Sequence, residues 1–181
     1  MRELSLNILD IAQNSIAAGA SLTEILVKED TVKKELFIGI YDNGRGMTQE
    51  QVNNVQDPFF TTRTTRKVGM GIPLFKMAAE QTGGSFTITS EVGVGTRVEA
   101  IFKTDSIDFT PLGDMESTVT TIVSMNEDKD FIYIRSVDGR EFTFSSAEIK
   151  QILDGVPLSE PSVMIWMEGH IKENTEELFK Y

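Results

Sequence analysis

The sequence has no cysteine and a single histidine, His170. The first absence excludes disulfides, thiolate catalysis and cysteine-ligated zinc or iron–sulfur sites. The second excludes a multi-histidine metal centre. No apolar run is long enough to cross a bilayer, and Met1-Arg2-Glu3 leads straight into an amphipathic segment, so neither a membrane span nor a signal peptide is expected, and the expected compartment is the cytoplasm. Positive charge is scarce as well: 17 Lys/Arg stand against 28 Asp/Glu, a net charge of −11.

That deficit is uneven. Residues 1–103 hold eleven Lys/Arg and twelve Asp/Glu, whereas residues 104–181 hold six and sixteen. The first part can therefore receive an anionic ligand without a large opposing field, and the second repels nucleic acid and anionic membranes. The same split suggests a boundary at 104, with one domain over 1–104 and an acidic α+β extension over 105–181. Apolar residues make up 40% and charged residues 25% of the 181, which excludes wholesale disorder and gives a core large enough to need no covalent staples.

Periodicity predicts a helix over 3–18, with Leu4, Ile8, Ile11 and Ser15 on one stripe, widened by Leu6, Leu9 and Ile16. Asn7, Asp10 and Asn14 form a polar stripe beside it. Strands are expected at 24–28 and 35–41, and Thr48 with Gln51 forms a capping box for a short helix ending near Val55. Residues 56–68 have no period and read as a loop. A helix from Gly71 to Thr82 is followed by strands at 85–90 and 96–103. The fold class this predicts is α+β, a two-layer α/β sandwich with an antiparallel-rich sheet. Beyond a linker (TDSIDFTPLGDM), residues 114–125 favour helix although their β-branched content pulls toward strand. A hairpin is expected at 130–136 and 140–145, then a helix capped by Ser146 and running to Leu153, and a last helix over 161–179.

Four motifs follow one another along residues 3–103. They are Asp10 with Asn14-Ser15-Ile16-Ala17-Ala18-Gly19-Ala20; Asp42-Asn43-Gly44-Arg45-Gly46-Met47; Asp57-Pro58-Phe59-Phe60-Thr61-Thr62 leading to Gly69-Met70-Gly71; and Gly93-Val94-Gly95-Thr96. Asp42 closes an apolar strand, so a carboxylate is carried to the end of a sheet. Adenine offers an amino group at position 6 where guanine offers a carbonyl, and a carboxylate accepts from the first and repels the second. By itself Asp42 also reads as a turn residue of Asp-Asn-Gly. Gly44 and Gly46 permit positive φ and close approach of backbone to a flat base, and they serve an ordinary turn equally well. The side-chain amide of Asn14 is a hard oxygen donor that suits magnesium, or a solvated helix residue. Arg63, Arg66 and Lys67 put three positive charges beside Gly69 and Gly71, whose freed backbone N–H groups suit phosphates. No Gly-Lys pair exists, which excludes a Walker P-loop, and Leu74 stands where a dinucleotide fingerprint needs its third glycine.

In order and spacing these motifs resemble the N, G1, F, G2 and G3 boxes of the GHKL superfamily of ATP-binding proteins, the Bergerat fold. Its members include type II topoisomerases, heat-shock chaperones, histidine kinases and mismatch-repair ATPases, and this chain is also similar to small stand-alone bacterial ATP-binding proteins. The resemblance implies ATP and magnesium as ligands. It implies that Asp42 contacts the adenine amine with water-mediated help from Thr96, that Asn14 holds magnesium, and that residues 56–68 form a lid with Phe59-Phe60 as its aromatic anchor or as a plain core pair. It places Arg66, Lys67, Gly69 and Gly71 at the phosphates, Lys67 above all. Asp10 stands where hydrolysing members carry a Glu that orients the attacking water. The Asp is one methylene shorter, and acts as general base or as a polar support.

Members usually have a helix or strand before the first box, so residues 105–181, or a second subunit in a homodimer, are expected to cover that side. The remaining residues give less. His170 reads as a surface histidine and not as a phospho-acceptor, and Trp166 with Val163 and Leu178 as packing. The acidic extension reads as a solvated face or as a docking surface for a basic protein partner, with neither nucleic acid nor membrane as a target. Two functions follow from the resemblance: an ATPase or protein kinase of the anti-sigma serine kinase type, or a non-catalytic ATP sensor that reports to a partner. A scaffold that has lost ATP binding is a third.

Overall fold

The computed structural model describes residues 3–60 and 70–180. Among these, the elements run α1 (Leu4–Ala17), β1 (Leu22–Asp30), β2 (Glu35–Asp42), α2 (Gln49–Val55), α3 (Gly71–Gln81), β3 (Ser85–Glu91), β4 (Gly95–Lys103), α4 (Met115–Met125), β5 (Asp130–Val137), β6 (Arg140–Ser145), α5 (Ser146–Leu153) and α6 (Pro161–Glu177). The strands form one mixed sheet in the order β3-β4-β2-β1-β5-β6. Every neighbouring pair is antiparallel except β1 and β5, which run parallel with Leu22 opposite Asp130 and Glu29 opposite Val137.

Because side chains alternate along a strand, register decides which face is buried. Ile25, Ile40, Val98 and Ile88 line up across four strands, as do Val27, Ile38 and Ala100, and all are buried. Helices α1, α3, α4 and α6 lie against this face, making two layers. Phe75 of α3 packs edge-on against the partly buried Phe86 and against Phe102; Phe75 and Phe102 are fully buried, which contributes roughly 1.5–3 kcal/mol per ring. The opposite face carries Tyr41, Arg97 and Glu99. There the Arg97 guanidinium stacks over the Tyr41 ring at 3.7 Å and the Tyr41 hydroxyl donates to Glu99 at 2.8 Å.

The sheet does not stop at residue 104. Strands β5 and β6 extend it beyond β1, and the segment before α4 returns to the start of α1. There the N–H groups of Leu4 and Ser5 donate to the carbonyls of Pro111 and Leu112 at 2.9 and 2.8 Å. These are donors that a helix N-terminus cannot satisfy internally. The Glu3 carboxylate binds the Asp114 N–H and lies under Gly113, where a Cβ would be 2.1 Å from it. Residues 105–181 therefore cover the first-box side of the nucleotide-type motifs. Arg135 of β5, its side chain 5% exposed, ties the two parts further by donating to Glu29 at 3.0 Å.

Two expectations need correction, and the favoured helix over 114–125 is present. Leu6 is 43% exposed while Asn7 is 2% exposed. Leu6 stands about 200° around the helix from Leu4 at 3.6 residues per turn, outside the buried arc. The cap of α5 is Ser145, whose hydroxyl accepts from the Glu148 N–H. Ser146 is the first helical residue, and its buried hydroxyl accepts from the Phe131 N–H at 2.8 Å. Residues 115–125 form a helix because the Asp114 carboxylate caps it and Met115, Val119, Ile122 and Val123 share one buried face, which outweighs the β-branched preference.

Candidate functional site

Asp42 ends β2 directly opposite Thr96 at the start of β4. Both face α1, and the two ends are held by a small network. The Ser15 hydroxyl donates to Asp42 Oδ2 at 2.7 Å and the Gly44 N–H donates to Oδ1 at 2.9 Å, which fixes the plane of the carboxylate. The Ser90 hydroxyl donates to the Gly95 carbonyl at 3.0 Å and accepts from the Met47 N–H at 2.8 Å. Its proton being used, the contact at 2.8 Å from Thr96 Oγ1 is a donation by Thr96, which leaves the Thr96 lone pairs for another donor.

Between these groups lies a cavity of about 230 Å³, with Asn14, Asp42, Gly46, Met47 and Thr96 at its rim and Ile40, Val98, Ile72 and Val55 within. It is polar at one edge and apolar over its floor, the chemistry of a flat heterocycle with one hydrogen-bonding side. At 230 Å³ it is below the roughly 300–1,000 Å³ of whole-ligand pockets, so it suits a base with the remainder extending outward. Arg45 is the one cation among the described lining residues. A larger concavity, about 450 Å³, opens on the other face of the sheet beside Glu24, Tyr41, Glu91 and Arg97. Asn14, Gly46 and Met47 do not line it, so the smaller one is the candidate site.

The glycines serve the frame of the site more than the ligand. Gly46 has φ +73°, and a Cβ there would stand 2.0 Å from the Glu91 carbonyl oxygen. Gly44 packs on Ala18, where a Cβ would come within 2.9 Å. The close approach is thus by the protein's own backbone and side chains.

Asp10 lies one turn before Asn14 on α1 but does not line the cavity. Its Cβ faces Gly71 at the start of α3, 2.9 Å from where a glycine-replacing methyl would be. Burial raises the Asp10 carboxyl above its ordinary value. The expected phosphate groups Arg66, Lys67 and Gly69, with Arg63, lie outside the described residues. Phe59 and Phe60, beyond the end of α2, are 81% and 48% exposed, so they do not form a core pair.

Sequence reasoning missed Ser15 and Ser90. Ser15 was placed in the apolar stripe of α1, and the signal was there: a hydroxyl on a buried arc needs a partner. Ser90 carried no signal, since it becomes important only when β3 is set beside β4. His170 is partly exposed, stacked on Trp166 with centroids 4.8 Å apart and edge-on to Phe142 at 5.5 Å. Trp166 itself is 49% exposed, while Val163 and Leu178 are buried.

No group of three or more His, Cys, Asp or Glu among the described residues is placed to hold a metal. No helix among them is long and apolar enough to cross a membrane.

Residues 1–106 match the family model for the histidine kinase-, DNA gyrase B- and HSP90-like ATPases. Sporulation kinase D of Bacillus subtilis is 31% identical over 91 residues, covering 50% of this chain and 18% of that protein. The sensor protein SrrB of Staphylococcus aureus is 35% identical over 101 residues, covering 53% and 17%. The chain thus spans less than a fifth of the length of these relatives. The crystal structure of the N-terminal domain of a DNA repair protein superimposes with a TM-score of 0.57 over 79% of this chain and 52% of that one, at 13% identity, a likeness of fold.

Proposed function

Since the chain belongs to the histidine kinase-, DNA gyrase B- and HSP90-like ATPase family, we propose that it binds ATP with Mg²⁺ in the cavity at the end of β2 and hydrolyses it, or passes its γ-phosphoryl group to a partner protein as anti-sigma serine kinases do. Residues 1–104 would bind the nucleotide and residues 105–181 would face the partner, in the cytoplasm. The observation that carries the reading is the Asp42 carboxylate, held by Ser15 and Gly44 in the wall of a cavity that Asn14 also lines.

The chemistry follows from the donors present. Asp42 accepts from the 6-amino group of adenine, while guanine would set a carbonyl oxygen against a carboxylate oxygen. Leaving such a buried group mispaired costs about 1–3 kcal/mol, enough to select ATP over GTP by roughly tenfold or more. Thr96, with lone pairs free, accepts from a bridging water. Asn14 offers a single neutral amide oxygen, which suits magnesium because that ion takes one or two protein oxygens and completes its shell with phosphates and water. When bound, the ion offsets charge on the phosphates. Arg66, Lys67, Gly69 and Gly71 are proposed to complete the phosphate site, with Lys67 stabilising the transferred group. Asp10 is proposed as the base that orients the attacking group, since burial raises its affinity for a proton.

A second reading is an ATP sensor without turnover. One observation favours it: Asp10 packs against Gly71 and stands back from the cavity. Phosphate release from Mg-ATP, with calorimetric binding measured on the same sample, separates the two. Turnover that disappears in Asp10→Ala while ATP still binds supports catalysis. Tight binding with no phosphate release supports the sensor, and absence of any ATP binding overturns both.

A further inference from the structure

We infer that the groove between α5 and α6 is a docking site for a basic amphipathic helix of a partner protein. The C-terminal part of the chain leaves a set of large apolar side chains outside the core: Ile152, Ile165, Trp166 and Val156 are 76%, 72%, 49% and 46% exposed. Of these, Ile152 and Trp166 line a cleft of about 270 Å³ between the two helices, together with Leu153, Ser162 and the buried Ile149 and Val163. Single exposed apolar residues are ordinary, but a contiguous group around a cleft is not. Trp166 is moreover held in place, its ring lying flat on His170 with 11° between planes. A half-exposed, immobilised tryptophan beside an apolar cleft has the properties of an interface anchor.

Charge selects the occupant. Glu148 directly precedes Ile149, Asp154 directly follows Leu153, and Glu160, the N-cap of α6, stands two residues before Ser162, so acidic residues flank the lining of the cleft. Over residues 146–180 seven acidic side chains stand against three basic ones. Of those three, Lys150 is turned to the Lys129 carbonyl at 2.6 Å and the Asp130 carboxylate at 3.0 Å, and Lys180 to Glu177 at 2.6 Å. An apolar floor with an acidic rim fits a helix that carries apolar residues at i, i+3, i+4 and i+7 and Lys or Arg on its flanks. The same rim repels anionic lipid and nucleic acid, and it would face its own sign in a pair of identical chains.

The inference rests on the reading that the chain acts through a partner protein, and it names the surface and the partner's chemistry. It also places the docked helix within a short path of the nucleotide site, since α6 packs on α4 and α4 packs on α1, which carries Asn14.

Trp166 is the only tryptophan, so its emission reports on this groove in the full chain. The probes are three synthetic peptides: a Leu/Lys helix with the spacing above, its Leu/Glu counterpart, and the Leu/Lys sequence with a central proline. The Leu/Lys helix is expected to shift Trp166 emission to the blue, saturably and less strongly as salt is raised, and the other two to leave it unmoved. Ile152→Asp and Ser162→Arg, at exposed positions of the cleft lining that leave folding intact, should each weaken binding of the Leu/Lys helix by roughly tenfold or more. Equal binding of the Leu/Glu peptide, unchanged emission with the Leu/Lys helix, or unchanged affinity in both variants would overturn the proposal. So would sedimentation showing a homodimer that Ile152→Asp dissociates, since the face would then belong to a second copy. ATP binding is measured on the same proteins: both variants should retain it, and its failure in the unaltered chain would count against the nucleotide reading alone.

Discussion

Ser15 and Asp42, 27 residues apart, are joined by a hydrogen bond of 2.7 Å that links the helix carrying the metal-type amide to the strand end carrying the base-type carboxylate. One turn of α1 therefore sets two jobs at once, since Asn14 points into the cavity and its neighbour orients the group across from it. Removing the hydroxyl should loosen the carboxylate without disturbing the core. Ser15→Ala is expected to weaken ATP binding by roughly tenfold to a hundredfold, the value of one hydrogen bond to a charged group, with a melting temperature lowered only slightly. Calorimetry on the two proteins checks this, and equal affinities would show that the bond is structural only.

Asp42→Asn keeps the shape of the side chain and replaces one acceptor oxygen with a donor. ATP affinity should fall by about tenfold or more while GTP is affected less, so the ratio of the two narrows. Competition of each nucleotide against a fluorescent ATP analogue reads the ratio directly. A ratio that stays constant would mean that adenine is recognised elsewhere.

Burial lifts the Asp10 carboxyl above its ordinary 3.8. A raised pKa in the folded chain means that folding favours the protonated form. The contribution is fully present below the unfolded value and is lost as pH rises through the folded one, so at neutral pH the ionised group is a cost. Asp10→Asn should therefore melt higher than the unaltered chain at pH 7, and the difference should close as pH falls below about 3.8. Turnover should vanish in the same variant. Calorimetric melting across pH tests the sign, and a destabilised variant at pH 7 would contradict it.

Two glycines with left-handed backbone make a controlled comparison. Gly83 has φ +82° with open space where a Cβ would go, whereas at Gly46, φ +73°, the Cβ would be 2.0 Å from the Glu91 carbonyl oxygen. Gly83→Ala should cost only the backbone term, about 1–2 kcal/mol. Gly46→Ala adds a collision between two backbones and should cost clearly more, with loss of ATP binding, because Met47 and Ser90 are displaced together. Urea unfolding of both variants measures the difference.

The resemblance covers residues 3–103, yet the sheet runs on through β5 and β6. A fragment of residues 1–104 would bare the edge of β1 and leave the Leu4 and Ser5 N–H groups without the Pro111 and Leu112 carbonyls. It should be aggregation-prone or unfolded. Limited proteolysis that releases a stable, ATP-binding fragment ending near residue 104 would refute this.

The sequence by itself determined the elements and the candidate ligands. Helix and strand periods, the Thr48–Gln51 capping box, the three hairpins and the Asp42 and Asn14 motifs are all local, written in spacings of a few residues that any chain with that pattern must express. What only the tertiary structure decided was which residues meet. That Ser15 belongs to Asp42, that Ser90 couples Met47 to Thr96, that Gly46 and Gly71 make room for Glu91 and Asp10, and that the acidic part continues the same sheet are long-range pairings. They depend on strand order and register, and period along the chain carries no record of either.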